Sequence, residues 1–146
     1  MAFVTAVLKQ GTEVTVQARQ FSWRGDEPLE AGGTDQGPTP YEMLLGSLAA
    51  CITITLRLYA DHKGITLPEV AVRLDFDRVH ADDCTDCDER ADGWIERIKS
   101  HVTIRGTFDE AQRARLTQVA QRCPVHKTLR NGVHFVDSVA FEPVSP

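Results

Sequence analysis

The sequence predicts an α+β fold, a single domain over residues 1–146 with a mainly antiparallel sheet. Short runs of alternating or β-branched residues occur in pairs, and turn residues lie between the two runs of a pair. This pattern is typical of hairpins. One long apolar segment, residues 37–58, has no charged residue between Met43 and Leu56 and is typical of a buried helix. The hydrophobic content of 42% in 146 residues is sufficient for one core.

The chain begins with a predicted hairpin. Residues 3–8 and 13–18 are the two predicted strands, and a Gln-Gly-Thr turn lies between them. Residues 21–25 continue as a third extended piece. Residues 26–38 are rich in glycine, proline and acidic side chains, so we expect an irregular connection of the kind that often lines a site.

A central helix is predicted from residue 40 to about residue 60. Thr39 and Glu42 have the spacing of a capping box, and a proline occupies the first helical position. The helix is expected to end near Gly64, which follows a lysine. It carries Cys51 into the protein interior.

Two further strands and two helices are predicted in the second half of the chain. Apolar and charged residues alternate over residues 68–79, and a similar pattern covers residues 95–105, with a polar and acidic loop between them. A capping box at Thr107 and Glu110 predicts a helix that runs to about residue 122. A short helix begins at Pro124 and ends at an Asn-Gly pair, and residues 133–141 are predicted to close the chain as a strand.

The composition excludes several classes of function. Sixteen basic and twenty-one acidic residues give a net charge of −5, which argues against a nucleic-acid partner because phosphate binding needs a basic face. The N-terminus does not resemble a signal peptide. The central helix contains glycine, serine and threonine and then Arg57, so we interpret it as a buried helix of a soluble protein or dimer that does not cross a membrane. Four cysteines in a chain without a targeting signal indicate a reducing cytoplasm.

Two single cysteines are candidates for chemistry. Cys51 is either a small apolar residue in a buried helix or a nucleophile that a nearby cation activates. Arg19, Arg24 and Arg57 are the candidate cations. Cys123 directly precedes the short helix, where free amide groups stabilise a thiolate, so local physics predicts that Cys123 is the more acidic thiol.

A Cys-x-x-Cys pair forms a third candidate. Cys84 and Cys87 follow His80 in the acidic loop. Two cysteines at this spacing can bind zinc, but a structural site needs four ligands, so these three residues are a weak metal site. The same pair is also compatible with a redox dithiol or with a solvated loop that has no chemical role.

The chain resembles the OsmC/Ohr family, named for osmotically induced protein C and organic hydroperoxide resistance protein. The resemblance spans residues 23–141 and rests on three motifs: Gly37-Pro-Thr-Pro-Tyr-Glu42, Leu48-Ala-Ala-Cys51 and Cys123-Pro-Val-His-Lys-Thr-Leu129. The segments Asp26-Glu-Pro28 and His80-Ala-Asp-Asp-Cys84 are similar to one subgroup, distinct from the two founding branches.

This resemblance implies an intertwined homodimer, with antiparallel sheets wrapped around two long central helices. It also implies a thiol-dependent peroxidase for organic hydroperoxides and hydrogen peroxide, without a cofactor. Cys51 would form a sulfenic acid, Cys123 would close a disulfide with it, and an external dithiol would reduce that disulfide.

One position departs from the founding branches, which place a glutamate directly after the proline of the helix start. Tyr41 occupies that position here, and Glu42 follows it. A shift of one residue rotates a side chain by about 100° around a helix, so Glu42 is explained as a cap or as a supporting residue. Arg19 and Arg24 are the candidate activators of Cys51. The alternatives to a peroxidase are a small-ligand-binding protein and a redox or metal sensor of the same fold.

Overall fold

The computed structural model describes residues 1–87 and 93–144. Within these ranges, two antiparallel sheets and three α-helices confirm the predicted α+β class. The elements are β1 (Thr5–Val7), β2 (Val14–Ala18), β3 (Phe21–Gly25), α1 (Pro40–Lys63), β4 (Glu69–His80), β5 (Trp94–Arg105), α2 (Glu110–Ala120) and α3 (Pro124–Asn131). Two short 3-10 turns lie at Leu29–Ala31 and Ala81–Asp83.

The first sheet has the order β1-β2-β3 and confirms the predicted N-terminal hairpin and third strand. It meets the start of α1, where the Trp23 indole N–H donates to the Met43 sulfur at 3.2 Å. Most of its apolar side chains stay exposed, including Phe21 at 52%. The described chain therefore leaves this sheet largely uncovered.

The helix α1 begins at its predicted cap and ends at Lys63, directly before the predicted stop at Gly64. The Thr39 hydroxyl accepts a hydrogen bond from the Glu42 amide at 3.1 Å, which is one half of the predicted capping box. Gly64 ends the helix in the left-handed conformation, with φ of 67°, which a glycine adopts without steric cost.

The core lies between α1, α2, α3 and the sheet of β4 and β5. One stripe of α1, with residues four apart, provides much of it, because such residues lie on one face of a helix. The fully or almost fully buried apolar residues are Leu48, Ile52, Leu56, Ala60, Leu67, Leu116 and Cys123. The inward side chains of β4 and β5 pack against this stripe, in antiparallel register with Val72 opposite Val102. Burying one such side chain stabilises the fold by about 1.5–3 kcal/mol.

The cap of α2 differs from the prediction. The helix begins at Glu110, and Asp109, not Thr107, is its N-cap. The Asp109 carboxylate accepts from the Gln112 amide at 2.7 Å, and the Gln112 side chain accepts from the Asp109 amide at 3.0 Å. This reciprocal pair satisfies two free helix-end groups, and a carboxylate also interacts favourably with the helix dipole.

The predicted C-terminal strand is wrong for the described chain. Residues 133–141 have no assigned strand in the described structure. Their apolar side chains are exposed, and Phe135 and Phe141 reach 74% and 95%. A strand needs a partner edge to satisfy its backbone groups, and the described part of this protomer pairs no edge with this segment.

The helix α1 is apolar on more than one side. By length and composition alone, the 24-residue helix is sufficient to cross a membrane, since an 18-residue window within it has a mean hydropathy of 1.6. A core helix of a soluble protein meets the same criterion, and here one side of α1 packs against α2 and α3. The other side exposes Ile54 and Leu58, at 57% and 64%.

Candidate active site

The helices α1 and α3 bring Cys51 and Cys123 together. The Cys51 sulfur accepts a hydrogen bond from the Val125 amide at 3.5 Å, and the Cys123 sulfur accepts one from the His126 amide at 3.4 Å. Both donors belong to the first turn of α3, where amide groups have no partner within the helix. One helix N-terminus therefore supplies hydrogen bonds to both sulfurs.

The local sequence explains this arrangement. Cys123 is the N-cap of α3, with extended backbone angles of −66° and 151°, and Pro124 is the first helical residue. Proline has no amide hydrogen and fixes a φ that suits a helix start. The first free amides of the helix therefore belong to Val125 and His126, and these are the two that reach the sulfurs.

The two thiols differ in exposure. Cys123 is fully buried, whereas Cys51 is half-buried. Burial raises the pKa of the Cys123 thiol, the neighbouring Cys51 sulfur raises it further, and the amides of His126 and Val125 oppose this. The predicted helix-end amides are present, but burial outweighs them, so the expected lowering of the Cys123 pKa is wrong.

A cleft of about 290 Å³ lies one turn of α1 before Cys51. Its lining combines apolar and polar side chains: Leu48, Ile98, Leu129, Glu96, Ser100, His126 and Arg130. The His126 Nδ1 atom is buried and has no hydrogen-bond partner among the described residues. The cleft is suited to a small and partly apolar molecule, and Leu48, one turn before Cys51 on α1, contributes to its wall.

Of the candidate activators, Arg24 lies in β3 and Arg19 in the turn that precedes β3. Arg24 forms an exposed ion pair with Glu13 at 3.2 Å. Arg19 lies in the turn between β2 and β3 with a positive φ of 53°, and its guanidinium lies 5.0 Å from the Phe21 ring centre. Neither arginine contacts Cys51 within the described protomer.

Glu42 does not face Cys51 in this protomer. It precedes Cys51 by nine residues on α1, which corresponds to about 13 Å along the axis and half a turn around it. Tyr41 stacks on Phe76 of β4, with ring centres 4.6 Å apart. Within the protomer, the start of α1 is therefore occupied by capping and aromatic packing.

Asp26 is a structural residue that the sequence analysis missed. The residue is 3% exposed, and its carboxylate accepts hydrogen bonds from the hydroxyls of Thr12 (2.6 Å) and Thr34 and from the amides of Glu27 and Gln36. These hydrogen bonds, the one from Thr12 first, hold the pKa of Asp26 well below its usual range. One sequence feature could have identified it: Asp26 is an acidic residue at the start of a Gly- and Pro-rich loop, and threonines are nearby. Asp26 fixes the loop that leads into α1.

The Cys-x-x-Cys pair is bonded as a disulfide in the structure. Cys84, Asp86 and Cys87 form a group whose ligand atoms lie within 4.8 Å of one another, as a metal site would require. His80, the third ligand that the sequence suggested, instead has its Nδ1 atom 3.3 Å from the Asp82 amide and carboxylate. The part of the predicted loop at residues 88–92 lies outside the described residues.

The chain is similar to known proteins in both sequence and structure. The family model described as "OsmC-like protein" matches residues 33–136. An OsmC-like protein from Mycoplasma pneumoniae is similar in structure, with a TM-score of 0.69, 28% identity, and 89% of this chain and 87% of that chain covered.

Two more distant structures share the fold. An organic hydroperoxide resistance protein OsmC from Legionella pneumophila has a TM-score of 0.62 and 19% identity, with 89% of each chain covered. The organic hydroperoxide resistance protein OhrB of Bacillus subtilis has a TM-score of 0.55 and 20% identity, with 87% of this chain and 88% of that chain covered. No curated protein sequence matches the chain.

Proposed function

Since this chain belongs to the OsmC-like protein family, we propose that it is a thiol-dependent peroxidase that reduces organic hydroperoxides and hydrogen peroxide. The observation that carries the proposal is the pair of sulfurs at the N-terminus of α3, one half-buried and one fully buried. Their unequal exposure gives the two thiols different roles. The organic hydroperoxide resistance proteins of similar fold agree with this chemistry.

Cys51 is the peroxidatic residue, because its sulfur is the more exposed of the two. Its thiolate attacks one oxygen of the peroxide, so an S–O bond forms as the O–O bond breaks. The departing alkoxide or hydroxide takes a proton and leaves as alcohol or water, and Cys51 becomes a sulfenic acid. The Val125 amide, 3.5 Å from the sulfur, stabilises the thiolate.

Cys123 resolves the sulfenic acid. Its thiolate attacks the Cys51 sulfur, a disulfide forms, and hydroxide leaves as water after it takes a proton. Burial and the nearby Cys51 sulfur both raise the pKa of Cys123, so both oppose a negative charge on the resolving thiol. When Cys51 is oxidised to a neutral sulfenic acid, its sulfur no longer raises the pKa of Cys123, and only the effect of burial remains. The geometry therefore favours attack on peroxide by Cys51 before ionisation of Cys123.

An external dithiol completes the cycle. It attacks the Cys51 sulfur, since Cys123 is fully buried, and Cys123 leaves as a thiolate. The second thiol of the reductant then releases Cys51, and the reductant departs as a disulfide. Two electrons enter for each peroxide reduced, so the cycle needs no cofactor. A cytoplasmic location, where protein thiols stay reduced, belongs to the same proposal.

The active form is proposed to be an intertwined homodimer. Three apolar surfaces remain uncovered in the protomer: the side of α1 with Ile54 and Leu58, the first sheet, and residues 133–141. Exposed apolar area on this scale is typical of a protein–protein interface. In the dimer, the two α1 helices lie at the centre, and the first sheet of one protomer brings Arg19 or Arg24 towards Cys51 of the other.

A ligand-binding protein without turnover is the second candidate. The observation that favours it is the stacking of Tyr41 on Phe76 at the start of α1, where the founding branches place a glutamate. The cleft of about 290 Å³ beside α1 would then hold a small ligand.

Steady-state kinetics separate the two candidates. The wild type, Cys51→Ser and Cys123→Ser are assayed for consumption of cumene hydroperoxide with dithiothreitol as reductant. We expect Cys51→Ser to lose at least about a hundredfold in kcat/KM, and Cys123→Ser to retain the first turnover. Dithiol-dependent turnover that persists in Cys51→Ser contradicts the assignment, and no turnover in the wild type favours the ligand-binding protein.

A further inference from the structure

The Cys84–Cys87 pair lies on the opposite face of the second sheet from Cys51. Arg97 of β5 is directly opposite Asp77 of β4, and its Nη1 atom lies 3.7 Å from the Cys84 sulfur. The neighbouring strand residues Phe76 and Ile98 also form a pair, and Ile98 packs against the core that surrounds α1. Because successive side chains of a strand point to opposite faces, the two cysteine pairs are separated by the sheet.

We propose that Cys84 and Cys87 are a second redox centre, a thiol–disulfide exchange site that takes two electrons from a dithiol independently of Cys51 and Cys123. Both cysteines are half-buried, so a reductant can reach them. The Cys87 residue lines an open cleft of about 550 Å³ along β5, together with the strand residues from Ile95 to Ser100. The cleft lies at the edge of β5 that pairs with no other strand in the described structure.

A network of charges holds the loop of this centre on the sheet. The Arg97 guanidinium donates to both Asp77 carboxylate oxygens at 2.9 and 2.8 Å, and its Nη1 atom donates to Asp86 at 2.7 Å. Such charge-assisted bonds are strong and directional. The same Nη1 atom faces Cys84, so Arg97 stabilises negative charge on the Cys84 sulfur when the disulfide opens.

A purely structural role explains the pair poorly. A bond between residues only three positions apart closes a very short loop, and such loops gain the least stability from a cross-link. The Asp86–Arg97–Asp77 network already attaches the loop to both strands. Disulfides in reducing compartments are mostly catalytic or redox-sensing.

The exchange proceeds in two balanced steps. A thiolate of the dithiol attacks the Cys87 sulfur from the cleft, a mixed disulfide forms, and Cys84 leaves as a thiolate beside Arg97. The second thiol of the reductant then attacks the reductant sulfur that is bonded to Cys87, and Cys87 leaves as a thiolate. The reductant leaves as a disulfide, and its two protons pass to the two cysteines. Asp82, Asp83 and Asp86 all lie within two residues of Cys84 in the chain and make this loop acidic, so we expect a neutral dithiol to react faster than the anionic monothiol glutathione.

The test uses the full-length Cys51→Ser/Cys123→Ser protein, in which Cys84 and Cys87 are the only cysteines. The protein is equilibrated with mixtures of reduced and oxidised dithiothreitol at pH 7, quenched with acid and alkylated, and its mass is measured. We expect one reversible transition in which two hydrogens are lost together, with a linked Cys84–Cys87 peptide at the oxidised end. Reduction by glutathione at equal thiolate concentration is expected to be at least about fivefold slower.

Variants of Arg97 test its part in the exchange. Arg97→Gln is expected to slow reduction by dithiothreitol about tenfold, because the leaving thiolate loses its cation. Arg97→Lys restores most of the rate, which a loss of packing alone would not explain. Arg73→Gln is the matched control, since Arg73 pairs with Asp75 on the same outer face and makes no described contact with either cysteine.

Three outcomes overturn the proposal. The first is independent alkylation of Cys84 and Cys87 after equilibration with oxidised dithiothreitol. The second is tight binding of one equivalent of zinc that prevents disulfide formation, which would identify a metal site made by Cys84, Asp86 and Cys87. The third is an equal rate of reduction in Arg97→Gln and Arg73→Gln. Because the protein lacks Cys51 and Cys123, none of these outcomes bears on the proposed peroxidase.

Discussion

The Val125 amide donates to the Cys51 sulfur across 3.5 Å and connects two residues that are 74 positions apart. The N-terminus of α3 therefore acts on a thiol that belongs to another helix, as well as on its own cap, Cys123. A helix N-terminus stabilises nearby negative charge through its free amides and its dipole. Cys51 receives this stabilisation while it stays half-buried and open to a reactant.

The first prediction concerns this amide. An ester at position 125, made with the α-hydroxy analogue of valine, removes the N–H and changes little else. A hydrogen bond to a charged group contributes about 1.5–3 kcal/mol, so the reaction of Cys51 with peroxide should slow by about tenfold or more. Stopped-flow measurement of sulfenic acid formation checks this. The control is Val125→Ala, which keeps the amide, and equal rates in the ester and this control would exclude a role for the bond.

The second prediction concerns pH and Cys123. Burial raises the pKa of this thiol in the folded protein, so the folded state holds its proton more tightly than the unfolded state does. The resulting stability is present at neutral pH and is lost as the pH rises above about 9 towards the folded-state pKa. Urea unfolding of the reduced protein between pH 7 and pH 10 should therefore show a steeper alkaline loss for the wild type than for Cys123→Ala. Parallel curves would contradict the raised pKa.

The third prediction concerns Asp26. Hydrogen bonds from Thr12 and Thr34 lower its pKa in the folded protein, so its carboxylate stabilises the fold above about pH 4 and loses this effect as the pH falls further. Asp26→Asn should lower the unfolding midpoint at pH 7 by several degrees, and the difference from wild type should shrink below pH 4. Thermal unfolding at several pH values measures this. Asp35→Asn, in the same loop and exposed, is the control and should change the midpoint by less than about 2 °C.

The fourth prediction concerns the uncovered side of α1. Ile54→Glu places a charge on the apolar surface that is proposed to be the dimer core, and should weaken self-association by at least about a hundredfold. Sedimentation equilibrium over a range of protein concentrations measures the change. His62→Glu, at the exposed end of the same helix, is the control. A wild type that stays monomeric at all concentrations would overturn the proposed homodimer.

Local sequence signals predicted most elements of the fold. Thr39 and Gly64 set the two ends of α1 through a side-chain cap and a left-handed glycine, and both effects depend on residues close in sequence. The alternation in β4 and β5 likewise indicated their buried faces. The prediction failed for residues 133–141, because the local sequence can show that a segment is suited to a strand but cannot show which edge will pair with it.

The site depends more on contacts between distant residues. The sequence identified Cys51 and Cys123 as candidates, and the amides at the start of α3 followed from Cys123 and its proline. The burial that raises the pKa of Cys123 comes from the packing of α1, α2 and α3, which local rules do not include. The hydrogen bond from the Val125 amide to the Cys51 sulfur could not be predicted either, because it depends on how α1 and α3 pack together. Asp26 was missed because its partners, Thr12 in the turn before β2 and Thr34 in the loop, meet only in the folded chain.

The most direct test of the central claim is the disulfide that one turnover leaves behind. The reduced protein is treated with one equivalent of cumene hydroperoxide, alkylated, digested under non-reducing conditions and mapped by mass spectrometry. The account predicts a peptide that links Cys51 to Cys123, with the loss of two hydrogens from the intact mass. An alkylated, unoxidised Cys51 after the peroxide has been added would contradict it.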